Sequence, residues 1–218
     1  FINTTAKDVN LFGSNIQDAQ FKESDFTRAY MANSDATKAK VNDTNFDYAN
    51  IKGSKWDGVE IDQSTFNYAN LEGVSLANAV INRTKMQHAN LNNAILNNCQ
   101  VIESDLTGAL MKDAEARKAK FKDTILKDVD ARKIDLTGVN IDELCKLEGM
   151  DLENAVLKKL EADKVNFLGV NMEGVQAQEA QMSGAILENV NMRFSDLESA
   201  IMKGVEASGV DMTGAKVT

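Results

Sequence analysis

The sequence contains no proline and few of the residues that most enzymes use for catalysis. It has 13 glycines, two cysteines and one histidine among 218 residues, and aromatic residues make up 6%. Two cysteines cannot form a disulfide framework. The lone His88 excludes every histidine-dependent catalytic triad except one built on that residue. No run of about 18 apolar residues occurs, so no segment has the length of a transmembrane helix.

The charge balance is acidic. The chain carries 24 Lys and Arg against 33 Asp and Glu, a formal net charge of −9. This balance disfavours direct binding to the phosphate backbone of nucleic acids, which requires a basic surface. Hydrophobic residues make up 43% of the chain. That fraction is enough for a sizeable core, so the composition excludes an intrinsically disordered chain.

The apolar residues recur with a period of five. Reading every fifth residue from Phe1 through Ile141 gives 29 apolar residues without a break. The series then resumes one residue late, at Leu147, and continues for 15 apolar positions to Val217. One extra residue therefore lies within the segment 142–146, where we expect a bulge or a kink with Leu144 turned outward. We call the recurring apolar position the centre of each pentad.

Two other positions of each pentad are also restricted. Two residues before the centre, 40 of 43 positions hold Ala, Ser, Thr, Val or Cys. Two residues after the centre, 26 of 43 positions hold Gly, Asn or Asp, and every glycine of the chain lies there. These three residue types tolerate positive φ, which a type II turn requires. The pentad thus has a large inward position, a small inward position and a turning position.

A period of five fits neither the helix, with a period of 3.6, nor the flat strand, with a period of 2.0. It fits a chain that turns a corner every five residues, so that four pentads close one square coil of 20 residues. Large centres then fill the axis, and the small residues let adjacent walls approach. Stacked coils need every wall N–H for hydrogen bonds to the next coil, which explains the absence of proline.

Several stretches repeat a common motif, among them Ala49-Asn50-Ile51, Ala69-Asn70-Leu71 and Ser104-Asp105-Leu106. The pattern resembles the pentapeptide-repeat family, whose motif is A(D/N)LXX. The resemblance covers practically the whole chain. It implies an all-β fold, a right-handed four-sided parallel β-helix of about eleven 20-residue coils. Residues 1–218 then form a single domain with a one-residue register slip at 142–146, and the rod is about 50 Å long.

One column of outward residues differs from the rest. Steps of 20 residues follow one edge of the rod, and one such edge reads Arg28, Tyr48, Tyr68 and His88. Arginine and amphipathic rings are enriched at binding hot spots, so this column is a candidate contact surface for a protein or a glycan. The alternative is a duplicated sequence whose rings merely stack on one another. No catalytic, metal-binding or cofactor-binding residues are expected, because neighbouring carboxylates such as Asp142 and Glu143 would lie on a convex rod without a cleft.

These observations favour a non-enzymatic β-helical protein–protein interaction or scaffold module with an unidentified protein partner. Because Phe1 and Val217 are both still in register, we expect the segment to belong to a longer bacterial protein or to associate end to end with its own copies. The compartment stays open, with the cytoplasm favoured and a secreted effector as the alternative.

The resemblance also implies a second function. Some pentapeptide-repeat proteins mimic DNA, bind DNA gyrase or topoisomerase IV, and confer quinolone resistance. A mimic requires a continuous acidic stripe, whereas residues 1–143 carry 21 acids and 17 bases and residues 144–218 carry 12 and 7. The interspersed bases favour the interaction module over the DNA mimic.

Overall fold

The computed structural model describes residues 1–217, which form a stack of coils built from short parallel strands and single β-bridges. No helix occurs within that range. One sheet contains β1 to β7 in chain order, and β8 pairs with β9 in a second sheet. The strands are β1 Gln20–Lys22, β2 Lys40–Asn42, β3 Glu60–Asp62, β4 Val80–Asn82, β5 Gln100–Ile102, β6 Lys120–Lys122, β7 Asn140–Ile141, β8 Ile186–Glu188 and β9 Glu206–Ser208.

The pairing register shows that each coil contains 20 residues. In β1 and β2, Phe21 lies opposite Val41, and every bridge before the slip also joins residues 20 apart. Across the slip the spacing becomes 21, as between Ile125 and Lys146, and it later returns to 20. The predicted parallel β-helix is confirmed. We number its four walls along the chain: face 1 carries β1 to β7, and faces 2, 3 and 4 have Phe26, Met31 and Ala36 as early centres.

The core contains the two inward positions of the pentads from Phe21 to Leu197, and nearer the two ends these positions are partly or largely exposed. Its largest side chains, including Phe46, Trp56 and Phe66, are 0–1% exposed. The rings of Phe46 and Phe66 stack with their centroids 4.9 Å apart, because successive coils place equivalent residues above one another. Each buried large centre contributes roughly 1.5–3 kcal/mol before entropy is subtracted. Cys99 and Cys145 are free and buried among these residues.

The corners have the backbone conformation that the turning position predicts. All 13 glycines have φ between 62° and 73°, and 29 other corner residues have φ between 46° and 61°. The exception is the slip, where neither Glu143 nor Leu144 has positive φ. There the Cys145 N–H donates to the Asp142 C=O at 3.0 Å, so the turn is displaced by one residue. Leu144 is 57% exposed, as expected for the outward residue of a bulge.

The corner between faces 1 and 2 uses side-chain hydroxyls. Elsewhere a backbone bond closes the turn, as from the Ser54 N–H to the Ile51 C=O at 3.2 Å. At the face 1–2 corner, the Thr44 N–H donates to Ser64 Oγ at 3.1 Å, and Ser64 Oγ donates to the Asp62 C=O at 2.8 Å. The column of buried hydroxyl residues consists of Ser24, Thr44, Ser64, Thr84, Ser104 and Thr124. It ends at the slip, where Cys145 takes the next place.

The surface has a cleft at the slip, so the expectation of a rod without clefts is wrong there. A cavity of about 530 Å³ is lined by Asp142 and Glu143 from one coil and by Glu161, Asp163 and Lys164 from the next. The extra residue lengthens one coil relative to its neighbour, and the walls on the two sides no longer match.

Candidate functional site

Three of the four predicted surface residues form a continuous stack on the corner between faces 2 and 3. The rings of Tyr48 and Tyr68 have centroids 5.2 Å apart and planes 6° from parallel. Tyr68 and His88 follow at 5.0 Å and 19°. The two tyrosines are 58% and 53% exposed, and His88 is exposed as well. We call Tyr48, Tyr68 and His88 the aromatic ladder.

Arg28 lies on the same corner but makes a different contact. Its Nε and one terminal nitrogen each donate to an oxygen of Asp8 at 2.7 Å, a bidentate pair with the preceding coil. Hydrogen bonding from Arg28 lowers the pKa of Asp8, and the positive charge of Arg28 adds to the effect. The one cation–π contact among residues 1–217 joins Arg193 to Phe194, so Arg28 does not stack on Tyr48.

The ladder ends at Gly108. A Cβ built on Gly108 would lie 2.5 Å from Nδ1 of His88, so the imidazole occupies the space that a side chain at 108 would need. Tyr68 has a ring on each side. Both faces of the Tyr68 ring are therefore covered, and the solvent meets its edge and its phenol hydroxyl. This arrangement suits the edge-to-face and hydrogen-bonding contacts of a protein partner better than sugar stacking on a ring face.

Amide side chains flank the ladder on both sides. On face 2, the Gln87 N–H donates to Asn67 Oδ1 at 3.0 Å, which orders that amide against the next coil. On face 3, Asn90 Nδ2 donates to Asn70 Oδ1 at 3.4 Å. The flanking residues are Asn67 and Gln87 on face 2, and Asn50, Asn70 and Asn90 on face 3.

These amide columns were missed by the sequence analysis. The repeated hexapeptides 45–50 and 65–70 contained the signal, but they suggested only a duplicated sequence. In the pentads of the three rings and their flanking amides, residues 45–50, 65–70 and 85–90, the charged residues are Asp47 and Lys85. An edge with stacked rings, amides and few charges is unusual in a chain with 26% charged residues.

The described residues contain neither a cluster of metal-binding side chains nor a membrane-spanning helix, and both thiols are buried. Between residues 1 and 217, no three His, Cys, Asp or Glu side chains come together in a way that could hold a metal ion. Across the same range, no helix is long and apolar enough to cross a membrane. Burial raises the pKa of the Cys99 thiol to about 12 and that of Cys145 to about 11. Such thiols are poor nucleophiles because the thiolate is the reactive form.

The solved structures that are similar to this chain include the following three proteins. HetL, a pentapeptide repeat protein involved in heterocyst differentiation regulation from Nostoc sp. strain PCC 7120, is 18% identical, with a TM-score of 0.43 over 96% of this chain and 87% of that one. QnrB1, a plasmid-mediated fluoroquinolone resistance protein, is 19% identical, with a TM-score of 0.35 over 75% of this chain and 89% of its own. A thylakoid-lumen pentapeptide repeat protein of Arabidopsis thaliana is 18% identical, with a TM-score of 0.21 over 63% and 68%.

Sequence comparison gives the family. No curated protein sequence matches the chain. The family model for pentapeptide repeats matches in 8 copies, which together span residues 7–142 and 178–214. This is well over half of the 218 residues. The chain therefore belongs to the pentapeptide-repeat family.

Proposed function

We propose that the chain is a non-enzymatic interaction module and that the aromatic ladder, with its flanking amides, contacts a protein partner. The observation that supports this proposal most directly is the stack of Tyr48, Tyr68 and His88 on an exposed edge with few charges. Arg28 lies at one end of the ladder, where its pair with Asp8 provides a charged rim.

The ladder has properties that reduce the entropic cost of binding. Its three residues are at corners with φ of 61°, 58° and 56°, within a fully hydrogen-bonded wall. Mutual stacking restricts the side-chain rotamers before a partner arrives, so less freedom is lost on association. Tyrosine contributes a large contact area with few rotatable bonds, and asparagine contributes adaptable hydrogen bonds. The same combination is common in antibody binding sites.

The proposal is tested by the double variant Tyr48→Ala with Tyr68→Ala. We expect this variant to keep its fold but to lose the protein partner that the unmodified chain captures from its source cells. Loss of two hot-spot residues weakens binding by roughly 2 kcal/mol or more, a factor of about 30. Quantitative mass spectrometry of the captured proteins measures the loss.

A matched control is available at another corner. Phe194 has a φ of 56° and is 57% exposed, close to the values of Tyr48. Phe194→Ala should leave capture unchanged. The proposal is wrong if the ladder variant and the Phe194→Ala variant both retain the full set of captured proteins.

The DNA-mimic alternative receives less support from the placement of charges. Every charged side chain lies at an outward position, and each wall mixes both signs. Acids and bases number ten and seven on face 1, eight and five on face 2, seven and five on face 3, and eight and seven on face 4, each face being counted with the corner that follows it. Among residues 1–217, fourteen ion pairs join many of them, such as Lys52 Nζ with Glu72 Oε2 at 2.9 Å. A mimic of a phosphate backbone requires a more uniform acidic surface.

A further inference from the structure

The extra residue at the slip separates two successive coils along face 2. In a regular wall, the N–H of each centre donates to a C=O of the next coil, as Phe46 does to Thr65 at 2.7 Å. Within the described residues, segment 142–149 makes no backbone hydrogen bond to segment 163–169. Bonding resumes on face 3, where the Leu152 N–H donates to the Asn171 C=O at 2.8 Å. We call the gap between segments 142–149 and 163–169 the seam.

Backbone groups along the seam lack the partners that a regular wall would supply. On one edge these groups are the N–H of Leu147 and Gly149 and the C=O of Cys145; on the other they are the N–H of Asn166 and the C=O of Asn166 and Leu168. None of the six has a protein hydrogen-bond partner among residues 1–217. Unpaired strand edges are templates for an added peptide segment. The seam thus offers directional hydrogen bonds to an incoming chain.

The seam also has space. The cavity of about 530 Å³ opens at the corner between faces 1 and 2, and a smaller one of about 140 Å³ continues along face 2 beside Cys145 and Leu168. The larger volume is within the usual range of ligand pockets. The smaller one is too small for a whole strand to enter between the coils. A side chain can therefore enter the corner cavity while the backbone that carries it lies at the rim of the seam.

The charges around the larger cavity select the occupant. Its lining has four carboxylates, those of Asp142, Glu143, Glu161 and Asp163. Lys164 is the one basic residue of the lining, and its Nζ lies 3.9 Å from Glu143 Oε2. In three of the carboxylates, one oxygen accepts a hydrogen bond from this chain, and the other oxygen has no partner among the described residues. Asp142 Oδ1 accepts from the Leu144 N–H at 2.8 Å, Glu161 Oε2 from Asn140 at 3.0 Å, and Asp163 Oδ1 from the Ser183 N–H at 2.7 Å.

We propose that the seam binds an extended segment of a partner protein through an arginine side chain of that segment. The planar guanidinium has five N–H donors, which match the remaining carboxylate oxygens of Asp142, Glu161 and Asp163. The backbone of the segment pairs with the free groups at the rim of the seam. This site is independent of the aromatic ladder, which lies on a different corner and in other coils.

The test is an NMR titration of the full chain with the peptide acetyl-Thr-Arg-Val-Arg-Thr-amide. We expect saturating shifts of the backbone amides of Leu147, Gly149 and Asn166, with a Kd below about 1 mM. The analogue with citrulline in place of arginine has the same shape without the charge. It should bind at least about tenfold more weakly, which corresponds to 1.4 kcal/mol.

Deletion of Leu144 provides the matched control, because it closes the seam and keeps all four carboxylates. It restores the pentad register, placing Glu143 at the corner, where Glu23 and Glu103 already have φ of 49°. This variant should lose the saturating shifts. If it binds the peptide as well as the unmodified chain, the attraction is general charge and does not need the seam. If the citrulline peptide binds equally well, the arginine charge is not recognised. Either result overturns the proposal.

If the deletion variant fails to fold, a second variant tests the same proposal. Glu161→Gln with Asp163→Asn leaves the seam and its backbone groups in place but removes two carboxylates. We expect a loss of affinity of about tenfold or more for the arginine peptide and little change for the citrulline peptide. An unchanged Kd for the arginine peptide contradicts the proposal.

Discussion

Individual corner residues adopt positive φ because of their register in the pentad and not because of their own preference. Asparagine, aspartate and glycine tolerate this conformation, and the sequence predicts it for them. Tyr48, Lys118 and Phe194 have φ of 56–61° although their side chains disfavour it. The stacked coils hold the backbone in place on both sides, at a cost of roughly 1–2 kcal/mol for each such residue.

Replacement of two corner glycines tests the energetic cost of positive φ and the packing of His88, the last residue of the ladder, against position 108. Gly73 and Gly108 have φ of 64° and 66°, but a Cβ on Gly73 meets nothing within 4 Å, whereas one on Gly108 meets His88 at 2.5 Å. Gly73→Ala should lower the free energy of unfolding by about 1–2 kcal/mol. Gly108→Ala should lower it further and shift the NMR signals of the His88 ring.

A double-mutant cycle isolates the contact with His88. In the His88→Ala background, Gly108→Ala should cost only as much as Gly73→Ala, because the opposing ring is gone. Equal costs of the two glycine replacements in the unmodified chain, measured by chemical denaturation, would show that His88 does not press on Gly108.

The contacts of Arg28 show the limit of sequence reasoning at the residue scale. The 20-residue step correctly places it on the corner of Tyr48 and Tyr68. It does not show that the guanidinium reaches back to Asp8. A long side chain at a corner can reach the coil on either side, and the nearest carboxylate decides which one it contacts.

At the scale of a single wall, a short motif of Asp, centre and Thr recurs. The motif occurs at 25–27, 35–37, 105–107, 135–137 and 211–213. In the second of these, Asp35 Oδ1 accepts from the Thr37 N–H at 3.0 Å and from the Thr37 hydroxyl at 2.7 Å. The hydroxyl contributes most to lowering the pKa of Asp35, followed by the backbone N–H. The motif thus joins the two outward residues of a wall across its centre.

The lowered pKa makes these motifs sensitive to acid. A carboxyl with a folded pKa below its unfolded value, near 3.9, stabilises the fold fully above that value and loses the contribution as the pH falls through the folded pKa. Thr37→Val removes the hydroxyl but keeps the shape. We expect the pKa of Asp35 to rise toward its ordinary value, and the stability that Asp35 contributes above about pH 4 to decrease.

A titration of the carboxyl carbons by NMR measures this change. Asp211 serves as an internal control, because its pKa is lowered chiefly by the hydroxyl of Thr213 at the far end of the described chain. Its pKa should be the same in the Thr37→Val variant. A pKa of Asp35 that does not move would show that the backbone N–H suffices to hold the carboxylate.

The walls are less alike than the period of five predicts. Before the slip, strands of two or three residues form on face 1, whereas faces 2 to 4 have single bridges. Face 1 precedes the corner that is closed by Ser and Thr hydroxyls. This corner lacks the backbone hydrogen bond that closes the other turns. The sequence contained this signal in the column from Ser24 to Thr124. The shared hydroxyl of these residues is not apparent when they are grouped only by their small size.

At the scale of the whole molecule, the stack was predictable from the period, and the effect of the slip was not. One inserted residue can be absorbed as a local bulge or can separate two coils, and the choice depends on which hydrogen bonds the neighbouring coil can still make. Here backbone hydrogen bonds join the two coils on face 1 up to Ile141 and again on face 3 from Met150. Between these residues, on face 2, the hydrogen bonds are missing. In a solenoid each coil contacts only its neighbours, so such a break is a weak point in the stack.

The two cysteines report on this weak point. Cys99 lies between fully bonded coils, whereas Cys145 lines the smaller cavity of the seam. Local opening at the seam breaks fewer hydrogen bonds than opening around Cys99. We therefore expect a thiol reagent to label Cys145 much faster than Cys99 without denaturant, as followed by mass spectrometry on the single-thiol variants Cys99→Ala and Cys145→Ala.

Deletion of Leu144 should slow the labelling of Cys145 to the rate of Cys99, because it restores the missing bonds. Equal rates for the two thiols in the unmodified chain would mean that the coils stay together at the seam as firmly as elsewhere in the rod.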